Sequence, residues 1–169
     1  MILTYYLYIF LDLQNIRKDL EKLQDKVDNY HKHNIVFSVY SAPSSSQTIT
    51  TGNVVYFDQQ MVKSPETKLD LSTGTFTASV NGIYEFSYSG GCLNSDNDKI
   101  TRIAVKQNGQ SKLTFEHFGS ERGGYGLMNF NWILKLQHTD TVQLYITKGK
   151  VYSIDEEARV FNGKLIQAL

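Results

Sequence analysis

The hydrophobic positions follow two rhythms along the chain, and the change between them divides it. From Leu13 the apolar residues fall at Leu13, Ile16, Leu20, Leu23, Val27 and Tyr30, in alternating steps of three and four. That is the spacing of positions a and d in a coiled coil, a narrow stripe along one side of a helix. Carried backwards, the register adds Tyr6 and Ile9 to the seam. Between the seam residues lie Arg17, Lys18, Asp19, Glu21, Lys22, Asp25 and Lys26, a mixed-charge face suited to water. A helix laid on its own globular domain is the alternative. That arrangement normally uses a broader apolar face, so the narrow stripe favours association with other copies. The heptads are few, and alone they would hold an oligomer weakly. The helix is predicted to end near "NYHKHN" at 29–34. His31 and His33 stand two apart, do not share a helix face, and read as a solvated linker.

After this point the rhythm shortens to two. In "FTASVNGIYEFSY" (76–88), Tyr84, Phe86 and Tyr88 alternate with the polar Glu85 and Ser87. Period two marks a strand with one face on a core and the other in water. The preceding "NG" is a turn signal, since both residues tolerate positive φ. Further candidate strands are 35–40, 53–57, 74–79, 83–89, 100–107, 111–118, 128–136, 141–147 and 159–169. Breaks between them carry turn residues: "SAPSSSQ", "DLSTG", "VNG", "LNSDND", "QNGQ", "GSERGGYG", "HTD" and "KGK". This spacing predicts an all-β sandwich, jelly roll or barrel. No strand–helix alternation occurs, which excludes the parallel nucleotide-binding folds. The chain is therefore expected to comprise a stem, residues 1–33, and a β domain, residues 34–169.

Composition narrows the function. Lys and Arg total 17 and so do Asp and Glu, so the formal net charge is zero and offers no footprint for nucleic acid. The 11 Tyr and 9 Phe strengthen the β reading. Cys92 is the one cysteine, which excludes an internal disulfide and a cysteine zinc cluster. It is read as a buried small hydrophobe, with a reactive or interchain thiol as the alternative. No Asn-x-Ser/Thr acceptor occurs. "MILTYYLYIFL" is apolar apart from Thr4, too short to span a bilayer, and lacks the basic start and small-residue cleavage site of a secretory signal. It reads as an atypical signal, an anchor or a helix start.

Catalytic constellations are missing from the pattern. Glu116 and His117 are strand neighbours and point to opposite faces, so they form no acid–base pair. Ser44, Ser45 and Ser46 lack a nucleophile-elbow context. The glycines of "GSERGGYG" do not lead a strand into a helix, so they cradle no phosphate. The chain is not expected to be an enzyme or to require a cofactor. In "NSDND", Asn94, Asp96 and Asp98 carry the alternate spacing that opens a calcium loop. Position six is Lys99 and position twelve is Val105, which rejects an EF-hand. Asp96 and Asp98 remain candidates for a shallower calcium site shared with other loops; the alternative is a solvated hairpin loop.

Phe76, Gly82, Tyr84, Phe86 and Tyr88 together resemble the signature of the complement C1q globular-head family. "VYFD" (55–58) is similar to its early strand, and "LDLSTGTF" (69–76) to its "YDxxTGxF" segment, with Leu69 in the aromatic place. "LKLQHTDTVQLYI" (134–146) resembles its "LxLxxGDxVxV" strand pair. "FNGKLI" (161–166), containing Phe161 and Gly163, is similar to its closing "FSGFLL". These segments run in the family's order over residues 35–169. Departures are Ser64 at an expected Asn, one extra residue in the spacing from Phe57 across the Pro65 loop, and Ala78 at a frequent Cys. The collagen-like stem is missing, and the heptads take its place. The resemblance implies a ten-stranded jelly roll related to tumour necrosis factor ligands, forming tight trimers, with the signature aromatics in the core and near the trimer axis. It further implies a secreted homotrimer that binds protein, glycan or microbial-surface ligands multivalently. A cytokine-like or hormone-like receptor ligand and an extracellular adhesive scaffold are the alternatives.

Overall fold

In a computed structural model the chain divides into two compact units, Met1–Asn34 and Ile35–Leu169. The structure describes residues 2–41, 48–94, 99–119, 124–152 and 159–169, with side chains described for these except at 2–5, 7, 29–32 and 94. The first unit is one helix, α1, Ile2–His33. Leu and Lys recur through its centre and no Gly or Pro interrupts it, so local propensity and heptad pattern agree.

The second unit holds twelve strands among the described residues. They are β1 (Val36–Tyr40), β2 (Thr48–Thr50), β3 (Gln59–Lys63), β4 (Lys68–Asp70), β5 (Thr75–Thr77), β6 (Gly82–Asn94), β7 (Ile100–Gln107), β8 (Gln110–Phe118), β9 (Gly124–Leu136), β10 (Thr141–Lys148), β11 (Lys150–Tyr152) and β12 (Val160–Ala168). The larger sheet runs β2-β11-β6-β12-β1-β3, and β9 pairs with β6 along its whole length, from Gly82↔Leu136 to Asn94↔Gly124. The smaller sheet runs β4-β5-β10-β7-β8. Paired strands are antiparallel, so each can bury one face and wet the other. The two sheets form the layers of a jelly-roll sandwich.

Alternation explains the layering. Along β1 the even partners Phe37 and Val39 are buried; along β10 Val142, Leu144 and Ile146 are buried, with half-buried neighbours between. Phe76 of the smaller sheet meets Phe37, Tyr84 and Phe86 of the larger one, at ring-centre distances of 5.4, 5.5 and 5.4 Å. Phe161 closes the cluster against Phe37, Phe57 and Phe86. Each such side chain stabilises the fold by roughly 1.5–3 kcal/mol through burial, and offset or edge-to-face contacts add to this.

Several sequence expectations are corrected here. Residues 53–57 do not form a strand. The alternation of buried Val55 and Phe57 is real, but their amides bond Leu144 O and Leu71 O, and only a bridge from Val54 to Tyr145 joins a sheet. β2, β3, β4 and β11 were not expected: β3 is exposed at every position, and the others have three residues each, too few to establish a period. β6 and β9 run further than expected, through Gly90, Gly91 and Cys92 in one and Gly124, Tyr125 and Gly126 in the other.

Candidate functional site

The signature residues lie inside the sandwich. Phe76, Tyr84, Phe86, Tyr88 and Phe161 are 0–2% exposed. Gly82 and Gly163 sit in β6 and β12, and each is a close approach. A Cβ at 163 would strike the Phe37 ring and the Phe86 ring; one at 82 would strike Leu165 and the Gln167 carbonyl. Tyr84 donates its hydroxyl to Val80 O at 2.8 Å, tethering the turn before β6. Burial pushes the Tyr84 phenol up, and pushes Tyr88 up further, the nearby Arg159 guanidinium opposing the rise at Tyr88. These rings present no surface to a ligand. They fix the two sheets against each other.

Arg159 was not singled out by sequence reasoning, yet it is fully buried where β12 begins. It donates from Nη2 to Ser41 Oγ at 2.9 Å and lies over the Tyr56 ring, 5.8 Å from its centre. Desolvation lowers its pKa. Nothing in the local pattern marks it, because a single cation at a strand start normally faces water.

The outward faces of the two sheets differ. On the smaller sheet the face is polar: Gln143 bonds Thr75 at 2.7 Å, Arg102 pairs with Glu116 at 2.7 Å, and Lys106 Nζ sits 3.3 Å from the centre of the Tyr145 ring. On the larger sheet, Met61, Val62, Ile133, Ile166, Leu127 and Tyr125 are exposed. An open groove of about 360 Å³ crosses this face, lined by Val36, Ser38, Val62, Glu85, Asn162 and Lys164 among others. Its polar floor is internally matched, Lys164 to Glu85 at 2.8 Å and Asn162 to Ser87 at 3.0 Å. At the β8/β9 edge, Phe115 stacks on Phe130 at 4.0 Å beside Trp132, and Leu113 and Phe118 are exposed. Trp132 is 5% exposed and its Nε1 has no partner among the described residues. A run of aromatics spaced by two marks this edge in the sequence; that the ladder stops there does not show.

On α1 the seam is bare in the single chain. Leu13, Ile16, Leu20, Leu23 and Val27 are 48–61% exposed. The Tyr30 side chain is outside the described residues. Flanking charges pair along the helix, as in Lys22 to Asp19 at 3.2 Å.

Glu116 pairs with Arg102, while the His117 ring lies against Gly126 on β9, so the two residues work apart. Cys92 is buried, opposite Gly126 and Val151 in the ladder. Asp96 and Asp98 lie outside the described residues. Among the described residues no three His, Cys, Asp or Glu side chains gather as metal ligands. Nor is any described helix long and apolar enough to cross a membrane.

Comparison with known proteins fits this architecture. The chain is similar in structure to the globular domain of zebrafish complement 1qA protein, with TM-score 0.63 and 21% identity, covering 80% of this chain and 99% of that one. It is also similar to the Eiger tumour necrosis factor of S. frugiperda (TM-score 0.65, 13% identity, 80% and 95% covered). Murine APRIL gives a TM-score of 0.57 at 13% identity, with 78% and 99% covered. Comparison with curated protein sequences gives no significant match. The family model described as "C1q domain" matches residues 36–166, nearly the whole of the sandwich. The chain belongs to the C1q domain family.

Proposed function

We propose that the protein is a secreted homotrimeric recognition module, a coiled-coil stem bearing three jelly-roll heads that bind repeated ligands on a surface. The observation that carries this reading is apolar surface left bare by one copy of a C1q-type head and its stem. The seam of α1 needs partner helices. The aromatic β8/β9 edge and the apolar face of the larger sheet are unlike surfaces, and unlike surfaces join head to tail, closing into a ring when the rotation permits. A threefold ring satisfies the edge, the face and a three-stranded stem together. The signature aromatics then build the subunit, and exposed loops select the ligand. Three weak heads on one stem gain avidity wherever protein, glycan or microbial ligands recur at matching spacing.

Sedimentation equilibrium of the full chain is expected to give three times the chain mass at micromolar concentration; a stable monomer would defeat the proposal. Arrays of glycans, proteins and microbial surfaces probed with the trimer then identify the ligand class. The fold likeness to Eiger and APRIL favours one second reading, a cytokine-like ligand for a cell receptor. Saturable binding to cells that survives removal of surface glycans, with no array signal, would select it.

A further inference from the structure

We infer that the apolar start of α1, through Leu11, docks on lipid and buries its outer side chains among the acyl chains of a membrane or other lipid surface. The helix supplies its own internal control. With Tyr6, Leu13, Leu20 and Val27 at position a, the positions facing away from the seam are c and f. Past Asp12 these are Asn15 and Lys22 at c, and Lys18 and Asp25 at f, as water requires. Before Asp12 the same positions are Tyr8 and Leu11, 66% and 46% exposed, and position e holds Phe10, 57% exposed, in place of Arg17 and Gln24. No charge occurs in residues 1–11. Other copies meeting the seam cover Tyr6 and Ile9 and leave Tyr8 and Leu11 bare, so the surroundings change from water to something apolar along a single helix.

Area decides what that surrounding is. Tyr8, Phe10 and Leu11 expose on the order of 400 Å² together. Each copy's share lies well below the roughly 800 Å² that one partner gives to a stable protein contact, and the copies of a stem present their shares on different sides. Apolar side chains on the outer positions of a bundle also point in several directions, and one docked protein covers only one of them. Lipid covers all sides without an area threshold. Eleven helical residues extend about 16 Å, about the depth of one leaflet of a hydrocarbon core roughly 30 Å thick. Tyr8 suits the interfacial depth, where aromatic rings with a polar end collect. Because the tip is uncharged, binding is set by acyl chains and not by headgroup charge.

Flotation of the full chain with phosphatidylcholine vesicles tests this. Wild type is expected to float, equally well when phosphatidylserine is added and equally at low and high salt. A Tyr8→Gln, Phe10→Gln, Leu11→Lys variant keeps the seam; it should lose at least tenfold in vesicle partition with unchanged sedimentation mass and circular dichroism. If that variant misfolds, Phe10→Trp serves instead, its added fluorescence being quenched by lipids brominated on the acyl chains. Four results would overturn the inference. They are a wild-type chain that stays with the dense fraction, a variant that floats like wild type, flotation that requires anionic lipid, and a mature chain whose intact mass lacks residues 1–11. A variant that instead dissolves stacks of whole oligomers, without any lipid binding in wild type, would hand the tip to a second copy of the protein.

Discussion

Strand β6 and helix α1 present the same kind of residue in opposite circumstances. Tyr84, Phe86 and Tyr88 are 0–2% exposed, whereas Leu13, Leu20 and Leu23 are 57–61% exposed. Both segments are amphipathic, one with period two and the other with period three and a half. The sandwich supplies a second sheet to cover the strand, while a seam one residue wide gets no cover from within its own unit. Periodicity therefore tells which face of an element must be covered, and not which molecule covers it. Cover from within the chain gives a fold; cover from another chain gives an assembly.

The largest expected effect breaks the strand side. Phe86 touches Phe37, Phe76, Trp132 and Phe161. Phe86→Ala should cost roughly 3–5 kcal/mol, as other large-to-small core changes do, and Tyr84→Ala a similar amount. Thermal melting measures it. An unchanged melt with lost ligand binding would instead make the aromatics a binding site.

A smaller effect is expected on the helix side, and of a different kind. Leu20→Gln or Leu23→Gln should remove about 1.5–3 kcal/mol of burial per chain in the assembled stem and leave the head intact. Sedimentation should show dissociation at higher concentrations than for wild type, with the β-sheet circular dichroism unchanged. If head and stem act together, removing residues 1–33 weakens the trimer without abolishing it. A head melting as much as the Phe86→Ala variant would show that α1 packs on its own domain after all.

Charged groups that the chain satisfies locally give a third, still smaller test, one insensitive to assembly. Asp140 accepts hydrogen bonds from Asn108, Gln107 and the Gln137 amide, at 2.7, 2.9 and 2.9 Å, and these hold its carboxyl below the usual value of 3.8. A depressed carboxylate contributes stability that is fully present above its unfolded pKa and is lost as pH falls through its folded one. Asp140 is well hydrated, so the contribution is modest. Asp140→Asn should lower the melting temperature slightly at neutral pH, and the difference should close below pH 3.8. A difference that persists in acid would make shape, not charge, the cause.

How much of this was readable follows the same division. β7 was legible at its observed bounds, Ile100–Gln107, because the turn residues of "LNSDND" and "QNGQ" bracket its apolar run Ile103, Ala104 and Val105. The strand expected over 83–89 stops short of Gly90 and Gly91, although they are strand residues whose missing side chains admit Tyr88, Arg159 and the Tyr152 ring. A glycine that makes room for a neighbour looks, in one dimension, like one that makes a turn. β3 was illegible because all its side chains are exposed and none reports a core. Of the candidate surfaces, the helix stripe could be placed from sequence, since a stripe is local and its residues from Leu13 to Val27 are exposed on α1. The β8/β9 edge could not, since an edge is defined by a missing neighbour.

The loop containing Asn94, Asp96 and Asp98 provides the smallest expected effect. It asks whether any cover in this protein is ionic. Alternate side-chain oxygens suit a hard cation, and a weak extracellular site in the range of roughly 10⁻⁴–10⁻³ M needs only a few. Lys99 places a positive charge where a calcium loop has its glycine. That weakens a site built from this loop alone, leaving one completed by loops of other subunits. Selective binding to the folded protein must raise its melting temperature, by about 1.4 kcal/mol of stabilisation at tenfold excess over Kd. Coincident melts in millimolar calcium and in chelator are the expected result, with the loop a solvated hairpin. A rise that vanishes in the Asp96→Ala, Asp98→Ala variant, and in a dissociated seam variant, would instead assign calcium to the junction between chains.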